Sequence, residues 1–235
     1  YVFGGHLATE LPIGKIATKS GPIMASVDAF KITLQGRGGH GARPHQTIDA
    51  VANGTRLVTH LQEIVSRRIN PIEPAVVTVG SFHAGNAFNI IADSAELEGT
   101  VRAMNSDVRQ QIEGEIPSMV AGLKVADHID YSLEYTHGYP VLVNHQEEAS
   151  VIEKIVKETI SLNAFVEKDI VLGAEDFAYY LEQRPGAYFY VGARNEKEDT
   201  HFPHHHPRFD FDESALLQLG HVFLQLAEYY LGSNE

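Results

Sequence analysis

The composition describes an acidic globular protein. The chain has 235 residues, of which 43% are hydrophobic and 21% are charged, and its formal net charge is −13 at pH 7. This balance excludes a disordered chain, and without a lysine- or arginine-rich run a nucleic-acid partner is not expected. No apolar run approaches the roughly 20 residues that span a bilayer, so no membrane partner is expected. Disulfides are excluded because there is no cysteine, and without a signal-peptide pattern a cytoplasmic location is the default expectation.

The first residues predict the end of a buried strand that leads into a loop. Tyr1-Val2-Phe3 is apolar, and Gly4-Gly5-His6 follows it. Because the sequence starts without an initiator Met, directly in a core-like strand, we expect an upstream part to precede it. The next segment, residues 11–22, contains short alternating pieces separated by Gly and Pro, which is typical of a connector.

The middle of the chain alternates between strand and helix patterns. Four segments with alternating, partly β-branched residues predict strands at 26–35, 75–82, 89–104 and 131–135. One amphipathic helix is predicted over 47–69 with Thr47 as its N-cap, and a second starts at the capping segment 105–107. Pro117 lies inside the second helix and is expected to kink or interrupt it. The order βαββαβ predicts a ferredoxin-like domain, in which two helices cover one face of a four-stranded antiparallel sheet.

After residue 138 the pattern changes to that of a layered α/β domain. Residues 187–191 are all apolar, which is typical of a strand in a sheet that is buried on both faces. Residues 1–23 and 139–235 are therefore predicted to form one α/β domain, interrupted by an inserted domain at 24–138. The other predicted elements of this part are helices at 146–162, from 173 and at 214–231, and a short strand at 169–172.

One glycine-rich loop presents a histidine. The segment Gly36–His45 follows the first predicted strand of the inserted domain, and its four glycines allow tight turns around His40. A lone loop histidine is most often a solvated surface residue. The alternative interpretation is an imidazole that a rigid scaffold presents for chemistry, and residues elsewhere in the chain must decide between the two.

Histidines also follow the predicted first strand and occupy a late loop. His6 lies just past a strand end, and residues 201–206 contain four histidines. Imidazole groups in loops at strand ends are common zinc ligands, so two such places on one sheet predict a metal site where they converge. The spacing matches no local zinc motif, and a polar surface loop at 201–206 explains the pattern equally well.

Three further polar residues have both a structural and a functional interpretation. Glu175 opens a predicted helix, where acidic residues favour the positive end of the helix dipole. Alternatively, Gly173 and Ala174 leave room for a substrate, and Glu175 is then a substrate-binding residue. Asn89 and Arg102 lie at the two ends of the third predicted strand. An arginine can bind a carboxylate with two hydrogen bonds, although an exposed strand-end arginine is the commoner case.

Together the motifs resemble those of a known enzyme family. The chain is similar to the C-terminal part of the zinc aminoacylases, carboxypeptidases and N-acyl-amino-acid amidohydrolases of peptidase family M20, in the branch of hippurate and auxin-conjugate hydrolases. The resemblance implies part of a zinc-peptidase-like α/β catalytic domain, interrupted by a ferredoxin-like lid and dimerisation domain. The stretches that carry it occur in order over nearly the full length: GGHLATELPIGKIATKSGPIMAS, GRGGHGARPH, AVVTVGSFHAGNAFNIIADSAELEGTVR, GAEDFAYY and HHHPRFDFDE.

The resemblance also implies roles for individual residues. His6 and His205 match metal ligands of the family. His40 matches the histidine that reaches across a dimer and stabilises the oxyanion in the neighbouring copy's site. Asn89 and Arg102 match the lid residues that hold the free carboxylate of the substrate.

The implied enzyme is a metal-dependent amidohydrolase that acts on N-acyl amino acids or small peptides, as a homodimer formed through the lid. Two divalent ions are expected in the intact enzyme, and zinc, manganese and cobalt all suit such a site. The family's upstream segment, with its Cys-x-His motif and catalytic glutamate pair, is not in this sequence, so the chain alone is expected to be metal-poor and inactive. It also has His204 where the family often has Leu, and Ala174 where it has a second Gly. The alternative is a non-enzymatic dimerisation or small-ligand-binding module.

Overall fold

The computed structural model describes residues 1–196 and 200–232, and the chain divides into two compact units. Unit 1 comprises Tyr1–Ile23, Leu142–Val171 and Glu175–Glu235, and unit 2 comprises Met24–Val141 with Leu172–Ala174. Each unit has a hydrophobic cluster of its own. In the described ranges no helix is long and apolar enough to cross a membrane.

The secondary-structure elements follow the chain in three runs. Unit 1 begins with β1 (Val2–Pro12), β2 (Ile16–Thr18) and β3 (Gly21–Met24). Unit 2 contains β4 (Ser26–Gln35), β5 (Gly39–His40), α1 (Ala50–Glu63), β6 (Ala75–Ala84), β7 (Ile90–Ile91), β8 (Ser94–Ala103), α2 (Ser106–Asp127) and β9 (Asp130–His137). Unit 1 resumes with β10 (Leu142–Asn144), α3 (Gln146–Thr159), β11 (Phe165–Glu167), α4 (Ala178–Gln183), β12 (Gly186–Arg194) and α5 (Ser214–Gly232).

A four-stranded antiparallel sheet forms the centre of unit 2, with the strand order β6-β8-β4-β9. Alternation along β8 places Leu97 and Val101 in the core and Glu98 on the opposite face. The helices pack against the same core, with Leu57 of α1 and Ile116 of α2 fully buried in it. The predicted ferredoxin-like plan, with two helices on one face of the sheet, is confirmed.

The main sheet of unit 1 has the order β1-β12-β2-β11, with β1 parallel and β2 antiparallel to β12. The apolar strand β12 is buried along nearly its whole length, as expected for a strand covered on both faces. Phe189 and Val191 pack with buried side chains of α3 and α5. Tyr188 and Tyr190 alternate with them and so face the other side of the sheet, where β1 places His6 beside Tyr190.

The first helix of unit 2 starts later than its sequence pattern predicts. Asp49, not Thr47, is the N-cap of α1, because its carboxylate accepts hydrogen bonds from the backbone N–H groups of Val51 and Ala52 at 2.9 and 3.1 Å. Thr47 instead ends a short 3₁₀ turn, and its hydroxyl donates to the Pro44 carbonyl. The carboxylate is the better cap here because it accepts two N–H groups at the positive end of the helix.

Several other elements differ from the predictions. β1 continues to Pro12, so His6 lies inside this strand and not in a loop after it, and the helix predicted from residue 173 begins at Ala178. Pro117 does not interrupt α2, because the buried face of this helix, which includes Ile112, packs on the sheet and holds the helix together. The segment 169–172 is not a strand, and Phe165–Glu167 pairs with β2 instead. The third strand of the unit 2 sheet starts at Ser94 and not near residue 89, since the short β7 and a bend precede it.

Candidate active-site residues

His40 lies in the two-residue ladder that β5 forms with β7, where it pairs with Ile90. The backbone N–H of Gly41 donates to the Asn89 carbonyl at 2.8 Å. A Cβ atom on Gly41 would come within 2.9 Å of that same oxygen, so this close approach requires glycine. The structure therefore brings together two of the predicted site residues, His40 and Asn89, and both are exposed.

A backbone hydrogen bond determines which nitrogen of His40 carries the proton. The N–H of Ala42 donates to His40 Nδ1 at 3.0 Å. A ring nitrogen that accepts a hydrogen bond carries no proton, so the neutral ring holds its proton on Nε2. His40 thus presents an N–H donor to its surroundings.

Arg102 lies far from His40 and Asn89 within unit 2. It is the penultimate residue of β8, whereas the His40 loop joins the sheet at the other end of that strand, where the Gly36 N–H donates to the Asp93 carbonyl. At about 3.3 Å per residue, the length of β8 separates the two ends by on the order of 25 Å. One copy of unit 2 therefore does not bring these three residues to the same small ligand.

In unit 1 the exposed His6 ring leaves one nitrogen available to a metal ion. Its Nδ1 lies 2.7 Å from the backbone carbonyl oxygen of Leu7 and must donate to it, because a carbonyl oxygen only accepts. The neutral ring then has its free electron pair on Nε2. Metal-binding histidines commonly donate their other ring N–H to a carbonyl in this way, so the chemistry of His6 fits a divalent metal.

A second imidazole adjoins His6, and it belongs to His204. The two rings meet edge to face with their centroids 4.7 Å apart, and His204 Nε2 lies 2.8 Å from the Leu7 carbonyl oxygen. The neighbouring His205, predicted to be the metal ligand, is exposed and has a φ of 69°, in the left-handed region. Among residues 1–196 and 200–232, no group of three or more His, Cys, Asp or Glu side chains is placed to hold a metal ion.

Glu175 is held by two hydrogen bonds from its own unit. Its Oε2 accepts from the Tyr188 hydroxyl at 2.8 Å, and its Oε1 accepts from the Phe177 N–H at 3.2 Å. Ring contacts continue from Tyr188 to Tyr190 at 5.6 Å and from Tyr190 to His6 at 6.2 Å. Burial, and then the Glu175 charge, raise the pKa of both tyrosine hydroxyls far above the ordinary value, so both are neutral donors.

Lys168 is a buried charge near these rings that no sequence motif marks. It is 7% exposed, and its ammonium group lies 4.4 Å from the centre of the Tyr190 ring and 3.4 Å from a carboxylate oxygen of Glu10. Such partners offset the cost of removing an ammonium group from water. In the linear sequence Lys168 resembles any surface lysine, and it is buried because β11, which precedes it, pairs with β2.

Residues 26–128 match the family model of the M20 peptidase dimerisation domain, which corresponds to most of unit 2. Over 229 residues the chain is 42% identical to the Bacillus subtilis protein YhaA, whose name places it provisionally among the amidohydrolases, and the match covers 97% of this chain and 58% of YhaA. Other curated relatives are named as carboxypeptidases and deacetylases. The chain spans a little over half the length of the curated relatives it matches.

Two solved structures share the fold. A protein of methicillin resistant Staphylococcus aureus, provisionally described as an aminohydrolase, has a TM-score of 0.88 and 37% identity over 94% of this chain and 57% of that chain. A Bacillus subtilis protein, described as a dinuclear metal binding peptidase from the M20 family, has a TM-score of 0.79 and 29% identity over 98% of this chain and 57% of that chain. With its relatives and its fold in agreement, this chain carries an M20 peptidase dimerisation domain and is similar over nearly its whole length to proteins of the M20 peptidase family.

Proposed function

We propose that the protein to which this chain belongs hydrolyses the amide bond of N-acyl amino acids or small peptides with the aid of divalent metal ions. The observation that carries the proposal is the opposite protonation of two histidines. His6 offers an electron pair on Nε2, whereas His40 offers an N–H on Nε2. The first suits a metal ligand, and the second suits a donor to a developing oxyanion. Relatives named amidohydrolase and carboxypeptidase support amide hydrolysis.

His6 and His205 are the proposed metal ligands of this chain. Divalent metal supplies an acidified water and polarises an amide carbonyl, and a dinuclear M20 relative supports two ions in the whole protein. Zinc, manganese and cobalt all accept imidazole ligands. Because the described residues form no cluster of three or more ligands, we expect this chain alone to bind metal weakly and to hydrolyse nothing.

The oxyanion donor is proposed to come from a second copy of the chain, paired through the dimerisation domain. His40 and Asn89 are held together by backbone hydrogen bonds and would enter the partner's site as one group. Arg102, on the order of 25 Å away along the sheet, would instead bind the substrate carboxylate in the site of its own copy. The outer strands of the unit 2 sheet, β6 and β9, are the edges through which two copies would pair.

The test removes the proposed donor and leaves the fold intact. In the complete protein, His40→Ala is expected to lower kcat on an N-acyl amino acid about 10²–10³-fold, as loss of one oxyanion donor does in other hydrolases. The matched control is His45→Ala, which removes another exposed histidine of the same segment and should leave kcat unchanged. An unchanged kcat in His40→Ala would exclude the oxyanion role.

The second candidate is a non-enzymatic dimerisation or small-ligand-binding module. It is favoured by the match of residues 26–128 to a dimerisation domain, together with the lack of a three-ligand cluster among the described side chains. Metal analysis and an amidase screen on the complete gene product separate the two candidates. Bound metal with amide hydrolysis supports the enzyme, and a protein with neither supports the module.

A further inference from the structure

We propose that His204 is a positioning residue for His6, and this inference rests on the proposed function, in which His6 is a metal ligand. The two histidines share one acceptor. The Leu7 carbonyl oxygen lies 2.7 Å from His6 Nδ1 and 2.8 Å from His204 Nε2. Both ring nitrogens must donate to it, so the protonation of the two rings is determined by a single backbone atom.

The loop that carries His204 is attached to β1 at a second point. The hydroxyl of Thr9, which is 2% exposed, donates to the Phe202 carbonyl at 2.9 Å. The His204 ring also packs against the Phe209 ring, with centroids 4.6 Å apart. These contacts hold the His204 imidazole in place where its ring meets that of His6 edge to face at 4.7 Å. His204 therefore acts as a fixed support for the His6 ring.

This support matters because an exposed neutral imidazole otherwise rotates about its terminal torsion and exchanges its proton between two nitrogens. The Leu7 carbonyl favours the proton on His6 Nδ1 only while that nitrogen stays within hydrogen-bond distance of the carbonyl oxygen. The His204 ring restricts that rotation, and its own N–H holds the shared carbonyl oxygen. His6 then keeps its electron pair on Nε2 before any metal binds, and ordering that precedes binding increases affinity.

The test uses this chain with ¹⁵N-labelled histidines, and Zn²⁺ alone is the probe. Long-range proton–nitrogen NMR correlations report which ring nitrogen carries the proton, and the His6 signals are those missing from His6→Ala. We expect His6 to hold its proton on Nδ1 in the unsubstituted chain and to populate both forms in His204→Leu. In a zinc titration, His204→Leu is expected to bind about tenfold more weakly, the usual effect of losing an outer-shell partner.

Matched variants separate positioning from other roles. His204→Gln keeps an N–H donor for the Leu7 carbonyl, so it should bind zinc more tightly than His204→Leu and nearly as tightly as the unsubstituted chain. His201→Leu removes another histidine of the same loop and should bind zinc like the unsubstituted chain. Unchanged His6 protonation and affinity in His204→Leu would overturn the proposal, as would zinc-induced shifts that show His204 Nδ1 to be a direct ligand. If His6→Ala binds zinc normally, the metal assignment itself fails and the positioning role falls with it.

Discussion

Arg109 on α2 binds the carboxylate of Asp28 on β4 through two hydrogen bonds, of which the one from Nε is 2.8 Å long. Asp28 is 1% exposed, and it also accepts from the Tyr135 hydroxyl at 2.9 Å and from the Gly138 N–H at 3.1 Å. Because Tyr135 lies on β9, the carboxylate connects the second helix of the dimerisation domain to two adjacent strands. Its buried charge depends on these donors, and Arg109 supplies the only cation among them.

Replacing Arg109 by alanine is expected to lower the free energy of unfolding of unit 2 by about 3 kcal/mol, because the buried Asp28 carboxylate then lacks its cation. Arg109→Lys keeps the charge but loses the paired geometry, so it should lose a smaller part of that stability. Urea unfolding of this chain, followed by circular dichroism, measures both effects. If Arg109→Ala unfolds at the same urea concentration as the unsubstituted chain, the ion pair contributes nothing.

The pKa of Asp28 makes the stability of unit 2 depend on pH. Burial raises this pKa, but the hydrogen bonds from Arg109, Gly138 and Tyr135 together outweigh burial, so the pKa lies below its usual value of 3.8. A carboxyl group whose pKa is lowered by folding stabilises the fold above its unfolded pKa of about 4, and the contribution is lost as the pH falls through the lower folded value. Stability should therefore decrease below about pH 4, and the decrease should be shallower in Asp28→Asn. Parallel stability profiles for the two proteins would contradict this.

Gly99 on β8 leaves room for the core side chain of Phe30. A Cβ atom on Gly99 would overlap both the Phe30 ring and the Thr78 carbonyl. Gly99→Ala is therefore expected to cost about 1–3 kcal/mol through overpacking. Gly80→Ala is the control on the neighbouring strand, since nothing lies within 4 Å of its added Cβ, and it should change stability by less than about 0.5 kcal/mol. If Gly99→Ala loses as little stability as Gly80→Ala, the overlap is relieved without cost.

Mixed dimers of the complete protein test how the proposed site is divided between copies. His40→Ala and Arg102→Ala homodimers should each have low activity. If His40 serves the partner's site and Arg102 its own, every mixed dimer contains one complete site. In an equal mixture, about half of the randomly paired dimers are mixed, and each of these has one of its two sites complete. The mixture should therefore recover about a quarter of the activity of the unsubstituted protein.

A second pair of variants is the control for the mixed-dimer experiment. His40 and Asn89 are held on the same loop pair and would enter the same site together. A mixture of His40→Ala with Asn89→Ala should therefore recover no activity, since each site lacks one of the two residues. If the Arg102 mixture also recovers none, both residues serve the same site and the proposed division is wrong.

Much of the fold was predictable because the strands and helices of unit 2 have clear side-chain periodicity, even though β4 pairs with β8 and β9, which lie far along the chain. Alternation in β4, β6 and β8 and the apolar stripes of the two helices predicted the ferredoxin-like plan, which depends on side-chain periodicity alone. The residues at which helices and strands begin and end were less predictable. Thr47 and Asp49 are both acceptable caps, and only the backbone path shows which side chain reaches the free N–H groups.

By itself the sequence determined the type of protein and marked His6, His40 and Asn89 as candidates, because the family motifs are visible in the linear sequence, although His6 lies inside β1 and not past the end of a strand as predicted. The tertiary structure alone decided which atoms these residues present, that the His40 loop joins the sheet at the end of β8 opposite Arg102, and that His204 adjoins His6 within a run of three histidines. The physical reason is that ring protonation depends on local backbone geometry, which brings His6 to the Leu7 carbonyl and His40 to the Ala42 N–H, whereas the proximity of His204 to His6 depends on contacts between distant parts of the chain. Periodicity in the sequence carries no record of those contacts.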